Sequence, residues 1–161
     1  MGEPVSIEQK ATEALQAINN RDMSFLASNV HESKGVFFSP TSYIEDYTVG
    51  FRQNEVEHLL EDDTKYVWGY GEARTEISLT SSEYFDERLR AELFLNADKV
   101  HTDVSNMIDS NLEEVFPQSK IVEFYIEGTS DLDWKSLKFV YELNEYDIWK
   151  IVAIVNGRWE P

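Results

Sequence analysis

Three consecutive strand patterns in the C-terminal third constrain the fold more than any other feature of the sequence. Residues 120–127 are rich in β-branched and aromatic side chains, and residues 134–143 alternate apolar with polar positions, which is the period of a strand. Residues 148–155 are apolar almost throughout, as expected for a strand covered on both faces. Short polar segments join the three, and Asn156-Gly157 predicts a closing turn. We therefore predict an antiparallel sheet that ends the domain.

Two helices are predicted at the N-terminus. Ser6 followed by Gln9 has the capping-box spacing, and apolar residues then recur at helical intervals through Ile18. Asp22 is a suitable N-cap for a second, shorter helix that reaches Val30. Because only about three residues separate the helices, we expect them to form a corner or hairpin.

The middle of the chain mixes short strands and helices. Gly69 and Gly71 next to an aromatic strand predict a bulge or a close backbone approach. Thr80 and Glu83 form a second capping box, which predicts a helix that continues to about Leu93. Residues 41–53 lack a clear period and are interpreted as a covering segment with helical turns. The further predicted strands are 34–38, 65–70, 76–79 and 99–104, and the further helices are 54–60 and 109–116.

Composition limits the kinds of partner. The chain has 161 residues, which suits one domain spanning 1–161, and its net charge is −17. Such a charge repels phosphate backbones, so we expect no nucleic-acid partner. The basic residues are scattered along the sequence, and no phosphate-binding motif is visible. The chain lacks cysteine, which excludes disulfides and thiol chemistry, and it has no apolar run of the roughly 20 residues that span a bilayer.

The order of elements carries a family resemblance. The segment Ala17–Ala27, with its Arg21-Asp22 corner, and the closing Trp149–Ile154 resemble the NTF2-like (cystatin-like cone) superfamily. Further pieces are similar to uncharacterised exported or lipoprotein-like proteins of Gram-positive bacteria; they lie at 30–31, 34–36, 38–40, 66–70, 122–125 and 133–137. The resemblance implies an α+β fold with N-terminal helices on a curved, mixed, mainly antiparallel sheet.

The resemblance also frames the functional hypotheses. It implies a non-catalytic domain of the bacterial envelope or exterior that binds a small molecule or a protein. A separate hypothesis is that Met1–Pro4 is the start left after an export signal was trimmed. The alternatives are an acid–base enzyme of the NTF2-like type and a module that forms homodimers through its sheet. A cytoplasmic protein is the alternative location, because cysteine-free chains occur in both compartments.

Candidate site residues follow from the cavity expected between the sheet and the first helices. A general base there would be His31, Asp46 or Glu123, although His31 could equally cap its helix and the face of Glu123 is ambiguous. We predict no metal site and no cofactor, because the three histidines have no metal-binding spacing. The ligand-binding candidates are aromatic residues that combine a ring with a polar tip, unless they only pack the core: Tyr43, Trp68, Tyr70, Tyr125 and Trp134.

Overall fold

The computed structural model describes residues 5–103, 110–130 and 132–158, which form an α+β structure. Its helices are α1 (Ile7–Asn19), α2 (Met23–Ser28), α3 (Gln53–Val56), α4 (Ser81–Tyr84) and α5 (Leu112–Val115). Its strands are β1 (Val36–Ser39), β2 (Val49–Phe51), β3 (Tyr66–Tyr70), β4 (Glu76–Leu79), β5 (Lys99–Thr102), β6 (Lys120–Ile126), β7 (Lys135–Leu143) and β8 (Trp149–Arg158).

Six strands form one mixed sheet in the order β2-β1-β8-β7-β6-β5. Strands β5, β6, β7 and β8 pair with one another in antiparallel fashion in that order, as predicted for the C-terminal third. Strand β1 lies parallel to β8, so the sheet is mainly but not wholly antiparallel, and it is not closed into a barrel. Strands β3 and β4 form a separate two-stranded sheet.

The two N-terminal helices begin at the predicted caps. The Ser6 hydroxyl accepts a hydrogen bond from the Gln9 amide at 3.1 Å, and Asp22 accepts one from Phe25, also at 3.1 Å. The apolar side of α1 packs into the same core as β6, β7 and β8. Core side chains therefore fill the space between α1 and the sheet, where the sequence predicts a cavity.

The opposite face of the sheet is covered as well. Ile44, Leu112 and Phe116 pack on residues of β7 and β8 in a second, smaller core. Val140 pairs with Ala153 while Tyr141 pairs with Ile151, so Val152 is an extra residue in β8. This bulge helps β8 bury apolar side chains on both sides, which explains its continuous apolar sequence.

Three predicted elements differ in the structure. Residues 49–51 form β2, a strand that pairs with β1, because Gly50 leaves room for the Phe37 ring: a Cβ there would lie 2.8 Å from it. Asn156 and Gly157 continue β8 instead of turning, since both have partners in β7. The predicted helix from residue 80 to 93 is broken at Arg90, which has a left-handed backbone (φ 52°).

Trp68 and Tyr84 join the small β3–β4 sheet to the main core. Their rings stack with centroids 4.1 Å apart, and the Trp68 indole donates a hydrogen bond to the Leu79 carbonyl at 2.9 Å. The neighbouring Gly69 lies at the predicted bulge, and a Cβ on it would lie 3.1 Å from the Pro40 ring. The Tyr84 hydroxyl is fully buried and has no hydrogen-bond partner among the described residues.

Replacing Tyr84→Phe is expected to stabilise the protein by about 1 kcal/mol, because it removes a buried hydroxyl without a partner and keeps the stacked ring. Burial also raises the pKa of Tyr84 well above its ordinary value of 10.0. Urea unfolding followed by circular dichroism measures the change. The control is Tyr66→Phe, which loses a hydroxyl that donates to Asp62 and should gain no stability.

Candidate functional site

A half-enclosed cavity of about 110 Å³ lies at one end of the main sheet. The start of β7 and the end of β8 form one wall, and residues 87–90, which follow α4, form the other. Pro40 and Phe94 complete the lining with apolar surface. The cavity is thus closed by the segment after α4 and not by the two opening helices. We call it the cationic cavity because of the side chains described next.

Positive charge is concentrated in this lining. Arg88, Arg90, Lys135 and Arg158 contribute four of the 14 basic residues in the chain, whereas Glu87 is the only one of its 31 acidic residues among the described lining residues. In a protein of net charge −17, this distribution creates a local positive field inside a concave surface. Arg88 and Arg158 also interact with other groups of the protein. These four residues come from three separate segments of the sequence, and the fold brings them to one cavity.

A π-helical turn positions the two arginines of the second wall. Residues Phe85–Leu89 form this turn, which closes with a hydrogen bond from the Arg90 amide to the Phe85 carbonyl at 3.0 Å. Arg90 then adopts the left-handed conformation without being glycine, at a cost of about 1 kcal/mol. Inserted π turns and such strained residues are both frequent at functional sites.

Other contacts fix this turn to the rest of the protein. The Arg21 guanidinium lies 5.5 Å from the centre of the Phe85 ring and pairs with Asp86. On the sheet side, the Asn156 amide nitrogen donates a hydrogen bond to the Leu89 carbonyl at 3.1 Å. The two walls are therefore joined, and the cavity is built before any ligand arrives.

The wall formed by the sheet places like charges side by side. Lys135 and Arg158 are direct partners in the register of β7 and β8. Like charges directly opposite one another on neighbouring strands destabilise a sheet. Lys135 makes no ion pair with the described part of the chain. An anion bound between the two strands would relieve this repulsion.

A second hollow, of about 330 Å³, lies between α3 and β3 and has an acidic lining. Its polar groups already have partners: Tyr66 donates to Asp62, and Glu61 lies 3.0 Å from the imidazole of His58. Both Glu61 and His58 are exposed to solvent. The described lining of this hollow contains no lysine or arginine that could attract an anion.

His31 connects α2 to the sheet. It is buried, and its Nδ1 accepts hydrogen bonds from the amides of Ser33 and Lys34, both at 3.2 Å. Nε2 therefore carries the proton and donates to the Leu143 carbonyl at 3.3 Å. Both ring nitrogens are thus occupied by backbone groups, and His31 is not in the lining of the cationic cavity.

The aromatic candidates lie in different parts of the molecule. Trp68 is buried in the main core, and Tyr43 is 40% exposed. Tyr70 packs against Tyr47 at 5.2 Å on the surface. Tyr125 and Trp134 stack with centroids 6.4 Å apart, and this is the one ring contact between members of the set among the described residues. Asp46 is exposed to solvent.

Glu123 belongs to a buried polar row on the sheet face opposite α1. It lies between His101 of β5 and Lys138 of β7 in the strand register, and it accepts a hydrogen bond from Ser136 at 2.8 Å. Burial lowers the pKa of Lys138, an effect that the negative charge of Glu123 opposes. Lys138 is 3% exposed, so this polar position of the alternating pattern in β7 is buried.

Replacing Lys138→Met is expected to destabilise the protein by about 3 kcal/mol, because it leaves the buried Glu123 carboxylate without its facing cation. The double variant Glu123→Leu/Lys138→Met should recover most of this loss, since two apolar side chains can replace a buried charge pair. Chemical denaturation of the wild type, both single variants and the double variant measures the coupling. Additive losses would show that the two side chains do not interact.

No family model matches this sequence, and no curated protein matches it either. The described residues include no helix with the length and apolar character needed to cross a membrane. Within residues 5–103, 110–130 and 132–158, no three histidine, aspartate or glutamate side chains are grouped as metal ligands would be. The geometry of the site therefore has to carry the functional argument.

Sequence reasoning missed the cationic cavity because its four basic residues come from three separate segments. Arg88 and Arg90 follow α4, Lys135 begins β7, and Arg158 ends β8. The spacing of Arg88 and Arg90 gives no signal of a shared site, because residues two apart on a regular helix point in different directions. The break in the helix at Arg90 brings both to the same cavity.

Proposed function

We propose that this chain is a non-catalytic binding domain that holds a small anionic ligand in the cationic cavity. The observation that carries the proposal is the gathering of four of the 14 basic residues around one cavity of a strongly acidic protein. Arginine is well suited to this role, because its planar guanidinium can donate two parallel hydrogen bonds to a carboxylate or phosphate.

The lining supports binding more than acid–base catalysis. The bases proposed for an enzyme were His31, Asp46 and Glu123, and the described lining contains none of them. The cations and the Asn156 amide can orient an anion, but arginine does not exchange protons near neutral pH. We therefore favour the binding hypothesis over the enzyme hypothesis.

We also propose that the domain is NTF2-like and belongs to the bacterial envelope or exterior. The supporting features are two capped N-terminal helices packed on one face of the sheet and three consecutive antiparallel strands that end the fold. The cavity lies at one end of that same sheet face, beside the segment that follows α4.

Inorganic phosphate and succinate are the probes for the proposed function. We expect both to bind the wild type in isothermal titration calorimetry and to raise its melting temperature. The double variant Arg90→Gln/Lys135→Gln should weaken binding at least tenfold, because two of the four cations are lost. Raising the salt concentration should weaken binding to the wild type as well, since the cavity is open to solvent.

The matched control is Lys65→Gln, which removes one positive charge from an exposed residue outside the cavity. It should leave the affinity unchanged within twofold. Equal binding by the wild type and the Arg90→Gln/Lys135→Gln variant, or no binding of either anion to the wild type, would contradict the proposal. The double variant is expected to fold, because it reduces repulsion between neighbouring cations.

A further inference from the structure

One residue in the described lining of the cationic cavity is negatively charged, whereas four are positively charged. Glu87 is exposed to solvent and precedes Arg88 on the π-helical turn. It makes no ion pair or hydrogen bond with the described part of the chain. The nearby Arg90 directs its Nε to Glu92 at 3.0 Å instead. A carboxylate is thus present among four cations without being used to neutralise Arg90.

A carboxylate in this position weakens the binding of a simple anion, because like charges repel at short range in a half-enclosed site. The same carboxylate strengthens binding if the ligand carries a positive group beside its anionic group. An ammonium would pair with Glu87 while the carboxylate of the ligand contacts the arginines and Lys135. Opposite charges would then face each other at both ends of the ligand.

The size of the cavity limits what can enter. Its volume is about 110 Å³, which is smaller than the roughly 150 Å³ of a cavity that encloses benzene. The space therefore suits an amino group, a carboxyl group and the carbon that joins them, with the remainder of the ligand directed toward solvent. The positive excess of the lining also favours a ligand with a second acidic group.

We infer that the ligand is a small amino acid with an acidic side chain, and that Glu87 recognises its ammonium group. This inference rests on the proposed function, since it assigns a ligand class to the same cavity. Glu87 acts as a specificity residue, because it distinguishes an amino acid from a plain carboxylate of similar shape.

L-aspartate and succinate provide the test, because they share a carbon skeleton and differ only in the ammonium group. If charge attraction to the cations were the whole interaction, succinate, with the larger negative charge, would bind more tightly. We expect the reverse in isothermal titration calorimetry at neutral pH: aspartate should bind at least tenfold more tightly than succinate. In the variant Glu87→Gln, we expect succinate to bind as tightly as aspartate or more tightly.

The control is Glu57→Gln, an exposed acidic residue outside the cavity, which should keep the preference of the wild type. Circular dichroism verifies that both variants are folded, as expected for exposed side chains. A preference for succinate in the wild type, or a preference for aspartate that survives Glu87→Gln, would overturn the inference. Succinate binding that depends on Arg90 and Lys135 would still support the proposed function in that case, so the two failures can be told apart.

Discussion

The pairing of β8 on both of its edges is the interaction on which the rest of this structure depends. It joins β7 in antiparallel fashion on one side and β1 in parallel fashion on the other. The exit of α2 is attached to the same strand, because His31 donates its amide to the Ile151 carbonyl at 2.9 Å and Ile151 donates to the Asn29 carbonyl at 2.7 Å. Both faces of β8 are buried, so its position is set by packing as well as by hydrogen bonds.

This central strand also determines where the cationic cavity can form. The last residues of β8 extend past the second core and reach the π-helical turn, where Asn156 bonds to Leu89. Arg158 thereby comes to lie next to Lys135 and across from the arginines after α4. A rigid arrangement of this kind reduces the reorganisation needed when an anion binds.

Two features place polar groups in the interior of the protein, where apolar side chains would normally pack. The row of Glu123 and Lys138 places charges inside the sheet layer, where an apolar pair would often be equally stable. The Tyr84 hydroxyl is buried without a partner among the described residues, although the ring itself packs well on Trp68. The free-energy cost of these two features is small compared with the stabilisation from the apolar side chains buried around β7 and β8.

Local sequence determined much of the secondary structure, because its signals are local. Ser6 and Asp22 satisfy nearby amides, Thr80 and Glu83 form a reciprocal cap, and the alternation of β7 reflects side chains on two faces of one strand. It did not determine that β2 is a strand, that Asn156 and Gly157 continue β8, or that the helix breaks at Arg90. Those outcomes depend on partners that are distant in the chain.

The same division applies to function. Composition alone established an acidic chain without cysteine, and the strand patterns established an α+β fold. Only the tertiary structure decided that Arg88, Arg90, Lys135 and Arg158 share one cavity, and that Glu123 and Lys138 face the interior. The physical reason is that burial and electrostatic fields depend on distance in space, whereas a sequence records only distance along the chain.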